Sequence, residues 1–181
     1  MSLINSIFEQ LLNGLRTGSI YALIALGYTM VYGIAKMINF AHGDIIMVGA
    51  YSLYVFTVLL GLHPVIAVIL TIVVCSVLGI VIEKVAYKPL RNAPSLAVLI
   101  TAIGMSYLLQ NVALLIFKAT PIPFASIISV PSLRLGSVTI SGITIVTLVV
   151  TTISMIALTS FINNTKTGRA MRAVSEDKGA A

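Results

Sequence analysis

The sequence predicts an all-α, polytopic transmembrane helical bundle, and three observations predict it. Charged residues are scarce: Lys and Arg number 11 and Asp and Glu 5 in 181 residues, or 9% of the chain, where an ordinary soluble domain carries about 25%. Hydrophobic residues make up 59%. The charges are also bunched, so that residues 17–35, 45–82, 92–117 and 135–165 form uncharged runs of 19, 38, 26 and 31 residues. A helix needs about 20 mainly apolar residues to cross the hydrocarbon core, so each run can supply at least one crossing. Soluble globular, disordered and disulfide-framework classes are excluded together.

The elements follow in order. Residues 1–16 are amphipathic: Ile4, Ile7, Phe8, Leu11, Leu12 and Leu15 recur at helical spacing, with Asn5, Ser6, Glu9, Gln10, Asn13 and Arg16 on the other face. Two readings stand for this segment, a helix lying in the membrane interface and a soluble-facing extension of the first span. It lacks the basic start of a signal peptide, and Glu9 interrupts its apolar stretch. Helix 1 is expected over 17–35, with Gly14, Gly18 and Ala22 spaced by four as a packing face. The segment Lys36–Asp44 then breaks the apolar pattern. Helix 2 is expected over 45–60 and helix 3 over 65–82, divided at Gly61 and Pro64 because one 38-residue helix would overshoot the bilayer.

Glu83–Pro94 reads as a polar loop, with three basic residues and two prolines. Helix 4 is expected over 95–117. The loop 118–141 contains Ser137, Thr139 and Ser141 alternating with Val138 and Ile140, the mark of a small external hairpin with its turn near Gly136. Helix 5 is expected over 142–163, which closes a membrane core of residues 17–163 and leaves a polar, basic tail at 164–181. The count is about five membrane helices. Helix 2, at 16 residues, reaches only about 24 Å, so helices 1 and 2 forming one broken passage is the alternative.

The net charge of +6 does not point to nucleic acid. Seven of the eleven basic residues fall within Lys84–Arg91 and Lys166–Lys178, and basic clusters beside spans mark the cytoplasmic side. Two helices separate the clusters, so both lie on one side and residues 118–141 lie outside. Cys75, the sole cysteine, has no disulfide or metal partner in the chain and reads as a small core residue.

Two segments carry candidate chemistry. Asn39, Phe40, His42, Gly43 and Asp44 place hydrogen-bonding groups between two apolar helices, with Asp44 near the positive end of helix 2. This is either a capped surface loop or a broken-helix element lining a translocation path. Gln110 and Asn111 are polar in the middle of an apolar helix and are expected to face the bundle interior, for interhelical hydrogen bonding ahead of substrate contact. Catalytic signatures are lacking: there is no HExxH, Ser106 lacks the second glycine of a GxSxG elbow, and no cofactor motif or GxxxxGK[ST] loop occurs. A non-enzyme is expected, and ATP-driven work would come from a partner. The tail predicts a short helix over 169–174 at the cytoplasmic face, and the acidic pair Glu176 and Asp177 with small neighbours suits docking to a partner protein better than lipid anchoring alone.

Four stretches together resemble the permease subunit of branched-chain amino-acid ABC importers, of the LivH type: NGLRTGSIYALIALGYTMVYGIAKMINFAHGDIIMVGAY at 13–51, EKVAYKPLR at 83–91, LITAIGMSYLLQN at 99–111 and TGRAMRAVSEDKGAA at 167–181. The resemblance implies a prokaryotic inner-membrane, multi-pass subunit working by alternating access. It implies two ABC ATPase subunits, a second permease subunit and a periplasmic substrate-binding protein as partners, in a lipid bilayer and without cofactors. It makes the tail a coupling segment that docks on the ATPase, with Gly168, Arg169, Arg172, Glu176, Asp177, Gly179 and Ala180 as coupling residues. It makes Asn39, Phe40, His42, Gly43 and Asp44, with Gln110, candidates for the translocation path. Members of the family continue beyond the matching GAA, so this chain is expected to correspond to the N-terminal portion. Permeases for urea or short amides, and a truncated, non-transporting membrane subunit, are the alternative readings.

Overall fold

The structure, a computed structural model, describes residues 3–35, 38–90, 93–124, 130–135 and 138–176. The described chain is mainly helical, with one two-stranded antiparallel sheet. It divides into two compact units, one formed by residues 1–36 with 128–181 and the other by residues 37–127. Four helical segments are long and apolar enough to cross a membrane: Ala41–Leu59, Pro64–Leu90, Ser95–Phe117 and Gly142–Asn164.

In the first unit, α1 runs unbroken from Leu3 to Ala35. Its 33 residues reach about 50 Å, well beyond the ~30 Å hydrocarbon core. It is not among the four candidate spans. Polar residues occupy its first half, and Gly18, Ser19, Thr29 and Gly33 dilute the second. α1 packs against α5, Gly142–Asn164, and touches both β2 and α6. The hairpin forms as the alternation predicts: β1, Leu133–Leu135, pairs antiparallel with β2, Val138–Ile140, in the register Leu133 to Ile140. The turn residues Gly136 and Ser137 lie outside the described residues. Gly142 opens α5 against the Val130 carbonyl, where a methyl group would collide.

α6 is longer than the predicted 169–174, spanning Lys166–Glu176. Thr165 makes the elbow. Its extended backbone ends α5, and its hydroxyl oxygen accepts the Gly168 N–H at 3.0 Å as an N-cap does. The same hydroxyl donates to the Phe161 carbonyl at 2.7 Å. Gly168 is buried in this elbow, and a methyl there would run into the Ile162 backbone.

In the second unit, α2 (Ala41–Tyr54) continues as a π-helical turn, Val55–Leu59. Helix 2 therefore has 19 residues, not 16, and reaches about 28 Å. Gly61, at φ 64°, supplies the left-handed residue that ends it. His63 then caps α3 (Pro64–Ile82) by accepting the Val65 N–H on Nδ1 at 3.4 Å, with Pro64 in the first turn.

The expected polar loop from Glu83 is instead helical to Leu90, through a π-helical segment Glu83–Tyr87 and a short 3₁₀ turn Lys88–Leu90. The wider i−5 bonding, Lys88 N–H to Glu83 carbonyl, absorbs Pro89 without ending the helix. The lysine stems let charged heads reach the membrane surface from a helical backbone. α4 spans Ser95–Phe117, as predicted.

α2 packs against both α3 and α4. Ala41, Ile82, Ala86 and Leu109 form the buried centre, flanked by Ile45, Leu78, Tyr87 and Met105. α2 approaches α3 closely at Gly49, where a Cβ would stand 3.2 Å from the Cys75 sulfur. Small residues at such crossings allow the dispersion contacts that hold helices together in lipid. Beside this contact the Thr71 hydroxyl is buried without a hydrogen-bond partner.

An unsatisfied buried hydroxyl costs about 1–3 kcal/mol. Thr71→Val keeps the side chain's branched shape and removes that group. The variant is expected to unfold at higher temperature in detergent than the parent; an equal or lower midpoint would show that the hydroxyl is satisfied.

Candidate functional site: a pinned helix start and a charged elbow helix

The sequence-predicted path residues fall into distinct places in the second unit. Asn39 precedes α2, and its side-chain oxygen accepts the Ala41 N–H at 3.1 Å while its carbonyl accepts the His42 N–H at 3.2 Å. These bonds satisfy donors that a helix start leaves open. The same Asn39 oxygen accepts the Tyr87 hydroxyl at 2.8 Å from the end of the α3 helix. Asp44 lies in the first turn of α2 and is 7% exposed. Its carboxyl group accepts from the Ser106 hydroxyl and from the Gln110 amide, the latter at 3.0 Å. The Gln110 amide also donates to Ser106 at 3.1 Å. His42 is half-buried, and Phe40 and Gly43 are exposed.

The partners of Asp44 set the height of the break. Ser106 and Gln110 stand near the middle of α4. Further along, Tyr51 stacks on Phe117 with centroids 4.1 Å apart. Contacts at Asp44 with 106 and 110, then at Tyr51 with 117, make α2 and α4 run parallel. α2 therefore begins level with the middle of α4, not with its end. If α4 crosses the membrane, the non-helical residues before Ala41 lie near mid-depth.

Two contributors escape a reading by sequence. Ser106 pairs with Gln110 at a spacing of four on α4, a helical signal that was there to be read. Tyr87 lies 48 residues from Asn39 in the chain, and nothing local announces the pair. Asn111, equally polar, is exposed and donates to its own helix at the Tyr107 carbonyl, 2.7 Å away.

The coupling candidates lie in the other unit. Gly168 is buried in the elbow, whereas Arg169, Arg172 and Glu176 are exposed. Their spacing puts them on one side of α6, with Gly168, Met171 and Val174 on the covered side. Arg172 donates to the Asn163 side chain at 3.3 Å, across the elbow. Asp177, Gly179 and Ala180 lie outside the described residues. Among the described residues no three of His, Cys, Asp and Glu come together as a metal site.

Four apolar helices of spanning length, a polar helix start held level with the middle of α4 and an amphipathic helix after Gly142–Asn164 define a multi-pass membrane protein. The model of the family described as "Branched-chain amino acid transport system / permease component" matches residues 10–181, and the chain belongs to that family. It is 45% identical to the high-affinity branched-chain amino acid transport system permease protein BraD of Pseudomonas aeruginosa. It is 41% and 40% identical to the permease proteins LivH of Salmonella typhimurium and Escherichia coli. Each match covers 93% of this chain and 59% of the relative, so the chain spans about three fifths of the length of these relatives. No solved structure matches it.

Two outcomes test the geometry. Asp44→Ala leaves two donors without their acceptor and is expected to lower stability by about 1–3 kcal/mol, with Asp44→Asn, which keeps one acceptor oxygen, between it and the parent in thermal unfolding. Gly168→Ala is expected to lift α6 from α5, read as fast amide exchange across 166–176 with α5 still protected.

Proposed function

We propose that this chain forms part of the membrane pore of an ABC importer for branched-chain amino acids, in a prokaryotic inner membrane. The observation that carries the reading is the 40–45% identity to BraD and LivH over 93% of the chain. Identity at that level over 93% of the chain supports the same fold and the same place in an assembly. The partners would be two ABC ATPase subunits, a second permease subunit and a periplasmic protein that delivers the amino acid.

Residues 17–163 would make this chain's contribution to the membrane core. The first half of α1 keeps Leu3, Ile7, Leu11 and Leu15 exposed, which suits an interfacial segment at residues 1–16. Residues 164–181 would be the coupling segment, on the cytoplasmic side by the rule that basic clusters stay inside. The path would run past the Asn39–Asp44 turn and Gln110, because irregular backbone at mid-depth is tolerated only when protein covers it or it lines a cavity.

Transport in this reading is alternating access. ATP binding draws the ATPase subunits together, and an element that binds the closed and open dimers differently converts that movement into a shift of the helices. α6 has the form for this. Its covered side is seated on α5, its outer side offers Arg169, Arg172 and Glu176, and Thr165 with Gly168 fixes the angle between the two helices.

In the complete importer, Arg172→Glu and Glu176→Lys reverse charges on the outer side of α6 without entering its covered side. Both are expected to abolish ATP-dependent amino-acid uptake while membrane insertion and helix content stay normal. Uptake at the parental rate by both variants would falsify the coupling role.

A further inference from the structure

We infer that the turn at the start of α2 is two-sided: Asn39, Ala41 and Asp44 fasten it to α3 and α4, and Phe40, Gly43, Ile46 and Ala50 present its other side to a water-filled path that the amino acid follows. The inference deepens the importer reading and rests on it. It divides four candidates that sequence alone treats alike into Asn39 and Asp44, which position the turn, and Phe40 and Gly43, which meet the cargo.

The fastening side is complete within the second unit. Ala41 and Asp44 are buried, Asp44 holds two side chains of α4, and Asn39 holds Tyr87 and the first N–H groups of α2. Asp44 is buried with its carboxyl group already accepting from Ser106 and Gln110, and the Asn39 side-chain oxygen already accepts from Tyr87 and the Ala41 N–H. They are positioning residues, not contacts for the cargo.

The other side is open. Phe40, Gly43, Ile46 and Ala50 are spaced by three, three and four, so they form one stripe along α2. All four are exposed, Phe40 and Ile46 by 44% and 43%. Nothing lies within 4 Å of the place a Gly43 Cβ would take. Lipid is a poor neighbour for this stripe. It is continuous with the non-helical residues at Ile38 and Asn39, level with the middle of α4. Hydrocarbon cannot hydrogen-bond an irregular backbone there, whereas a hydrated path can. The chemistry of the stripe also matches an aliphatic amino acid. Phe40 and Ile46 offer apolar surface to its side chain, and Gly43 leaves clearance between them.

The test is thiol accessibility in the complete importer, reconstituted with its ATPase subunits, with Cys75→Ala as the parent. Gly43→Cys is treated with a cationic, membrane-impermeant methanethiosulfonate, which reacts only with thiolate in water. Modification is read as a mass shift on the peptide carrying position 43. Val77→Cys, on the exposed apolar side of α3, is the control. The expected result is modification at 43 that slows severalfold when leucine is transported, with none at 77. Equal reactivity at both positions, or none at 43 in any nucleotide state, overturns the path-facing assignment. A parent that takes up no amino acid with ATP overturns the importer reading itself, which separates the two failures. As a second readout, Gly43→Leu adds bulk at a position where a Cβ would have nothing within 4 Å among the described residues. It is expected to remove most uptake while the ATPase subunits still co-purify; unchanged uptake would count against the assignment.

Discussion

Within a bilayer, a backbone N–H or C=O without a partner costs several kcal/mol, because no water is there to replace it. The start of α2 meets this constraint at its most demanding place, level with the middle of α4. Asn39 answers it locally by accepting the first free N–H groups of the helix. Asp44 and Tyr87 answer it across the fold, by tying that same turn to α4 and to the end of the α3 helix. The parallel run of α2 and α4, the Tyr51–Phe117 stack and the position of the open stripe are all consequences of where this turn is held.

The same economy of polar contacts appears at the other functional element. Thr165 ends one helix and begins the next with a single side chain, which donates to α5 and accepts from α6. Gly168 lets the two helices close to a distance that a methyl group would prevent. The outcome is a helix with one side packed on its own protein and the other exposed. In the proposed reading, in which this helix would pass movement from an ATPase to the membrane, a firmly seated segment would transmit that movement and a loosely attached one would absorb it.

Much of the architecture was legible in advance, for a physical reason. The hydrocarbon core selects for length and apolarity, and both are written along the chain. Thus the segments at 95–117 and 142–163, the split at Gly61 and Pro64, and the strand alternation around 133–140 could be read directly. The boundaries that misled were those where charge and helix end do not coincide. Glu83, Lys84 and Lys88 look like a loop, yet the helix continues through them because long side chains carry their charges to the surface. The helix at 169–174 was under-read at both ends, since Thr165 is recognisable as a cap only once its partner at Gly168 is seen.

What the sequence determined by itself is the class of protein, four of the five expected spans, the kinship carried by its motifs and which segments are too polar to be ordinary membrane helix. The tertiary structure decided what those polar residues do. Asp44 and Gln110 are 66 residues apart in the chain and joined in space, and Asn39 meets Tyr87 across 48. Phe40 and Gly43 belong to the same six-residue motif as Asn39 and Asp44 yet face the other way. Periodicity shows which residues share a side of one helix. Which side is covered depends on the helices that pack against it, and no local pattern encodes that.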